Sequence, residues 1–112
     1  RKVARHHGLD MAASYGSAIV ATANGIVTYA GRRGAYGNVV EIDHGHGFKT
    51  RYGHLKKIHV KKGQKVSFYQ TIAEVGSTGR STGPHLHYEV WFDNQVRNPA
   101  KFLEAGSYVF KK

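Results

Sequence analysis

The 112-residue sequence contains no cysteine. Disulfides, thiolate metal sites, iron–sulfur clusters and cysteine nucleophiles are therefore excluded. Acidic residues are scarce: 7 Asp and Glu stand against 17 Lys and Arg, a formal net charge of +10. That excess argues against a basic substrate and favours an anionic partner, whether nucleic acid, a membrane surface or an acidic polymer. No apolar run approaches the ~18 residues of a membrane-spanning helix, so the domain itself is not expected to cross a bilayer. No signal peptide is visible, and the chain opens on Arg1-Lys2-Val3 without Met. This start reads as a fragment whose upstream targeting or anchoring segment is missing. Low-complexity stretches, linkers and internal repeats are lacking too, so the length predicts one domain over 1–112 with a core of about 4–104.

Histidine, by contrast, is abundant: His6, His7, His44, His46, His54, His59, His85 and His87. With cysteine absent, imidazoles and carboxylates are the remaining strong ligands for a transition metal.

Strand signals dominate the pattern. Residues 17–22 (SAIVAT) and 25–30 (GIVTYA) flank Ala23-Asn24-Gly25, and Asn-Gly is a strong tight-turn dipeptide. Residues 38–43 and 48–54 flank a His-Gly-His-Gly turn at 44–47. Shorter strands are expected at 65–68, 71–75 and 95–97. Fourteen glycines punctuate these runs, as in an all-β domain of short strands. The predicted fold is mainly β, an antiparallel sheet or sandwich with one short C-terminal helix. Asn98 caps that helix over 98–104, Pro99 suits its first turn, and Gly106 stops it.

The clearest strand is 85–92, HLHYEVWF. Alternation puts Leu86, Tyr88, Val90 and Phe92 on a core-like face and His85, His87, Glu89 and Trp91 on the other. A His-x-His pair on one face brings two ring nitrogens near one point. The preceding loop, 76–84, holds three glycines and a proline and can approach a ligand closely. Near the other end, His6-His7-Gly8-Leu9-Asp10 adds a His-x-x-x-Asp pair. Joined to one His of 85–87, it makes three protein ligands, the usual number at a catalytic zinc. Zinc lowers the pKa of its water toward ~7. There is no His-Glu-x-x-His helix to provide a carboxylate base. The other member of the 85/87 pair and His54 are left for proton transfer and oxyanion stabilisation, with an imidazole pKa of about 6.5 suited to that work.

Three segments in order, HHGLD at 6–10, RYGHL at 51–55 and STGPHLH at 81–87, resemble the lysostaphin-like zinc peptidases, the LytM-domain family. The likeness extends through NGIVTYAG, GNVVEIDHG, KKGQKV and VGSTGRSTG, roughly residues 4–103. Each motif is weak alone; their order and spacing together are specific. The resemblance implies that His6, Asp10 and His87 hold one Zn2+. The family's His-x-x-x-Asp frame selects His6 over its neighbour His7. It further implies His85 as general base and His54 as the second catalytic His, polarising the water or stabilising the tetrahedral intermediate. Asn38, Tyr52, Arg80 and Thr82 are expected near the substrate; Tyr52 precedes His54 by two and would share its face of a strand.

The implied substrate is a peptide cross-link of bacterial peptidoglycan. The GLDMAA stretch looks more like Gram-negative members, which points to the D-Ala to diaminopimelate bond and to a periplasmic or envelope location. Two departures from the family pattern, Ser14 for Pro and Tyr69 before Gln70 for Gly, lie away from the motifs. All five motif residues are kept, which favours an active enzyme over a catalytically silent wall-binding or amidase-activating module. A biotinyl- or lipoyl-like carrier hairpin is a further alternative over 62–76, but no Lys stands in the Met-Lys-Met or Asp-Lys-Ala context that such modification needs. Lys56, Lys57, Lys61, Lys62 and Lys65 form a solvated face that also suits anionic envelope polymers, by attraction that salt weakens. No nucleic-acid-binding motif accompanies it.

Overall fold

Period-two alternation sets the architecture. Three long neighbouring strands each turn apolar residues to one face and polar ones to the other. The computed structural model describes residues 8–81, 83–98 and 109–111. It contains nine strands in one antiparallel sheet: β1 Leu9–Ala12, β2 Ala18–Val20, β3 Gly25–Arg32, β4 Asn38–Gly45, β5 Phe48–Ile58, β6 Lys65–Val66, β7 Thr71–Val75, β8 His85–Phe92 and β9 Gln95–Arg97. The main path runs β1-β8-β5-β4-β3-β6; β2 pairs with β7, β7 with β5, and β9 with β8.

The inner face of β4, β5 and β8 carries Val40, Ile42, Tyr52, Leu86, Tyr88 and Val90, all buried in the main apolar cluster with Ile19, Leu55, Ile72 and Val75. The outer face carries Glu41, Arg51, His87 and Glu89. Burial of each large apolar side chain contributes roughly 1.5–3 kcal/mol, so register is strongly specified: slipping one residue would exchange these two sets.

The strand expectations map onto β2–β9 with adjusted ends. The turn at 44–47 joins β4 to β5, with Gly45, His46 and Gly47 all at positive φ (85°, 53° and 85°). Asp93 and Asn94, at φ 52° and 61°, make the two-residue turn from β8 to β9, whose Phe92 and Gln95 pair. Asn24-Gly25 is different: β2 pairs with β7, while β3 pairs with β4 and β6, so the tight turn expected there does not pair β2 with β3. A two-residue type I′ turn needs positive φ at both central residues, and neither Asn24 nor Gly25 has it. Gly25 serves close packing instead, since a Cβ there would lie 2.6 Å from the Asp43 carbonyl oxygen. The one helical element lying wholly within the described residues is a 3-10 turn at Gly34–Tyr36. The expected helix over 98–104 lies outside them, apart from Asn98.

Candidate active site

β5 changes partner along one edge. Residues 48–53 pair with β8, with Gly53 opposite His87, and residues 55–58 pair with β7. His54 stands at the fork with φ 63°, a left-handed conformation uncommon for a residue with a Cβ. Such strain persists where the surroundings over-determine it, and it clusters at working sites. His54 is buried, and its Nδ1 donates to the Thr78 carbonyl oxygen at 2.7 Å.

The Gly-rich loop that supplies this carbonyl is clamped onto the turn before β4. The Thr78 hydroxyl donates to the Leu55 carbonyl (2.8 Å), the Asn38 amide N–H donates to the Thr78 hydroxyl (3.0 Å), and the Arg80 N–H donates to the Ala35 carbonyl (2.9 Å). Gly37 and Gly79, both at positive φ, permit this approach; a Cβ on Gly37 would sit 2.4 Å from the Thr78 carbonyl carbon. Asn38 takes part through its side chain, whose Nδ2 donates to Leu55 O at 3.0 Å. Its contact is thus with the frame that carries His54.

β8 presents His85 and His87 on one face, as alternation demands. The ring centroids of His54 and His85 are 4.7 Å apart, those of His54 and His87 6.0 Å. His85 Nδ1 donates to the Gly83 carbonyl at 2.9 Å. A carbonyl only accepts, so the proton is on Nδ1 and the lone pair on Nε2. The same logic holds for His54. Antiparallel pairing of β1 with β8 sets Asp10 opposite His87. Asp10 Oδ1 lies 2.7 Å from His87 Nδ1 and 3.7 Å from His85 Nε2. This edge strand was not anticipated; its LDMA sequence has no β-branched residue, and the pairing with β8 decides its conformation.

The structure therefore brings Asp10, His54, His85 and His87 together. His6 and Thr82 lie outside the described residues. Arg80 is exposed at the rim of a hollow of about 210 Å3 that it lines with Ala35, Tyr36, His54 and His87. Tyr52 is a correction: it does not line this groove. Its ring is fully buried in the core, with its hydroxyl hydrogen-bonded to those of Thr22 (3.0 Å) and Thr50 (2.9 Å). The left-handed backbone at His54 breaks the alternation on which the shared face depended.

Burial holds the His54 imidazole below its ordinary pKa, outweighing the Thr78 carbonyl, and the neighbouring His85 and His87 act in the same direction as burial. For His87 burial also opposes the charge, but Glu89 and Asp10 outweigh it and raise the pKa. Glu89 itself is a buried carboxylate. Its oxygens accept from His87 Nε2 (2.7 Å), Tyr36 OH (2.8 Å), Trp91 Nε1 (2.8 Å) and Arg51 Nη1 (3.3 Å). These donors overcome desolvation and hold it below its ordinary pKa. Sequence reasoning placed Glu89 beside the histidines without assigning it a role, and passed over Tyr36 and Arg51. The available signal was the two-residue spacing from His87.

Among the described residues no group of three or more His, Asp or Glu side chains is arranged to hold a metal ion. Asp10 and His87 nevertheless offer a carboxylate oxygen and an imidazole nitrogen face to face, a donor pair that suits zinc.

Comparison with known proteins places the fold and the sequence in one family. Residues 4–99 match Peptidase family M23. The chain is 49% identical over 113 residues to peptidoglycan DD-endopeptidase ShyA of Vibrio cholerae, covering all of this chain and 26% of that protein. It is 48% identical over 94 residues to DD-carboxypeptidase/endopeptidase Mpg of Neisseria meningitidis, covering 84% of this chain and 22% of that one. The chain thus spans about a quarter of these curated relatives. Among solved structures, a zinc-containing peptidase from Vibrio cholerae superposes with a TM-score of 0.80 at 45% identity, over 83% of this chain and 29% of that one. The catalytic domain of lysostaphin from Staphylococcus simulans superposes with a TM-score of 0.83 at 32% identity, over 88% and 79%. By sequence, by fold and by the lysostaphin-like motifs that the sheet brings to one edge, the chain belongs to peptidase family M23.

Proposed function

We propose that this domain is a zinc-dependent endopeptidase that hydrolyses peptide cross-links of bacterial peptidoglycan, with the D-Ala to diaminopimelate bond as its target. The observation that carries the reading is the convergence of Asp10, His87, His85 and His54, with the last two imidazoles each locked by a backbone carbonyl so that Nε2 is the basic nitrogen. His6, Asp10 and His87 would hold the metal. Zinc, when bound, supplies a Lewis acid and lowers the pKa of its water toward ~7.

The chain's own residues do the rest. His85 Nε2, on the Asp10 side of the site, accepts a proton from the attacking water and returns it to the leaving amine. His54, held neutral by burial, accepts a hydrogen bond from the water at Nε2 and so orients and polarises it. Arg80 at the rim offers its guanidinium to a substrate carboxylate, and Thr82, two positions on in the sequence, is proposed to contact the same substrate. The relatives' names, with peptidoglycan in one and DD-carboxypeptidase/endopeptidase in another, support the substrate class. A substrate of that kind would put the domain outside the cytoplasmic membrane, in the periplasm or envelope. The exposed Lys56, Lys57, Lys61, Lys62 and Lys65 would hold it near anionic envelope polymers.

Mass analysis of defined cross-linked muropeptides incubated with zinc-loaded protein tests this. New D-Ala and diaminopimelate termini are expected, and chelation should stop their release. A protein that binds zinc stoichiometrically yet cuts no bond, with His54→Ala behaving identically, would replace the enzyme by a silent activating module of the same fold.

A further inference from the structure

The outer face of the sheet carries a row of charges behind the site. Cross-strand pairing sets Glu41 of β4 opposite Arg51 of β5, and Arg51 opposite Glu89 of β8. Arg51 donates to Glu41 Oε2 through Nη2 (2.7 Å) and Nε (3.1 Å), and through Nη1 to Glu89 Oε1 and the Tyr36 hydroxyl. Its guanidinium lies over the rings of Trp91 and Tyr36, 4.9 and 5.2 Å from their centroids.

The Glu89 side chain is only 3% exposed. A carboxylate so buried must be compensated. A carboxylate has about four acceptor positions; here His87 and Tyr36 donate to Oε2, Trp91 and Arg51 to Oε1. The group cannot turn without breaking one of these bonds. Gly8 closes over it, since a Cβ at that position would lie 2.8 Å from Glu89 Cγ and 3.2 Å from His87 Cε1.

We infer that Glu89 is a positioning residue for the metal site: it keeps a proton of His87 on Nε2, so that Nδ1, which faces Asp10, is the nitrogen left to bind a cation once its own proton leaves, while Tyr36, Trp91 and Arg51 hold Glu89 still. The reasoning is local. A carboxylate 2.7 Å from Nε2 accepts and cannot donate when ionised, so Nε2 carries hydrogen. Nδ1 then becomes the only nitrogen of a neutral His87 ring free to ligate, and it is the one facing Asp10 Oδ1 at 2.7 Å. A proton bridges Nδ1 and Asp10 until a cation displaces it. Carboxylate partners of ligand histidines act in this way, and their loss commonly weakens metal binding by roughly 10–100-fold. The inference rests on the zinc reading for what the ring ligates, but not for how the ring is held.

Three measurements, on the metal-free, zinc-loaded and cobalt-substituted chain, test it. In Glu89→Gln, near-isosteric with the wild type, the zinc dissociation constant from chelator competition should rise about 10–100-fold. The visible spectrum of the cobalt-substituted protein should change as well. Tyr36→Phe removes one donor to Glu89 and should weaken zinc by a smaller factor in the same direction. Nitrogen-15 NMR of the metal-free protein, at a pH where His87 is neutral, should show the Nε2–H tautomer in the wild type and a mixture in Glu89→Gln. A purely structural Glu89 would lower the melting temperature and leave tautomer and cobalt spectrum alone. That result, or unchanged zinc affinity in a folded Glu89→Gln, overturns the inference. If the wild type takes up no zinc yet shows the Nε2–H tautomer that Glu89→Gln loses, the positioning role stands and the metalloenzyme reading falls.

Discussion

The two faces of the central sheet each carry a polar network beside a hollow, and they differ in kind. The inner network is of hydroxyls. Thr22 bonds to Tyr52 and Tyr88, Thr50 to Tyr52, and His44 is tied through both ring nitrogens to Asn24 O (2.8 Å) and Thr50 Oγ1 (2.7 Å). It borders a hollow of about 540 Å3. The outer network is charged, and the hollow beside it is less than half that volume. Of these two hollows, volume favours the inner one. The outer face is the better candidate because His54 and His85 each keep an unprotonated Nε2, whereas both nitrogens of His44 are already engaged. Burial raises the pKa of Tyr52 and Tyr88, the latter strongly, so their hydroxyls stay neutral and serve as structural links.

Breaking the outer face should have the largest consequences. Asp10→Ala and His87→Ala should lose zinc and hydrolysis together, checked by metal analysis of the purified variants beside a turnover assay. Next come His85→Ala and His54→Ala, which should keep zinc while turnover falls about 10²- to 10⁴-fold. Normal turnover in His85→Ala would remove it as the base. Gly79→Ala should act indirectly. Its Cβ would lie 2.3 Å from Gly37 N, so the loop must move and take the Thr78 carbonyl from His54. Turnover should drop with zinc retained, and the His54 NMR signals should shift.

The inner face sharpens the contrast in the other direction. Tyr52→Phe removes a hydroxyl from a buried network and should cost about 1 kcal/mol in denaturant unfolding, with zinc affinity and turnover intact. The smallest effect concerns acid. The Glu41 carboxylate is opposed by burial, but hydrogen bonds from Arg51 and Thr28 hold its pKa below the ordinary 4.5. A depressed folded pKa means that the unfolded chain binds the proton more readily. Its stabilisation is complete above 4.5 and disappears as pH falls through the folded value. Thermal melts of the metal-free chain should show a shallower acid slope in Glu41→Gln.

Much of this was legible beforehand where local chemistry and tertiary packing agree. The two faces of 85–92 follow from alternation, and Leu86, Tyr88 and Val90 are buried as that pattern requires. The glycines of 44–47 supply the positive φ of a tight turn. Legibility failed where a distant partner decided. Asn24 looks like a hairpin residue, but its side-chain oxygen accepts from the Phe68 N–H at 2.7 Å and its carbonyl engages His44. Glu89 looks like a solvated charge, because nothing local announces that Arg51, Tyr36 and Trp91 will surround it.

By itself the sequence determined the chemistry on offer: imidazoles and carboxylates without thiols, a strand that aims two histidines one way, and a glycine-rich loop able to approach them. These depend on residue type and on spacing over a few positions, which the chain carries wherever it folds. Only the tertiary structure decided which of these groups meet. Asp10 reaches His87 because β1 pairs with β8, His54 reaches the site because β5 forks there in a left-handed turn, and Tyr52 leaves it for the same reason. Such juxtapositions are made by hydrogen bonds between strands far apart in the chain, and no local pattern encodes them.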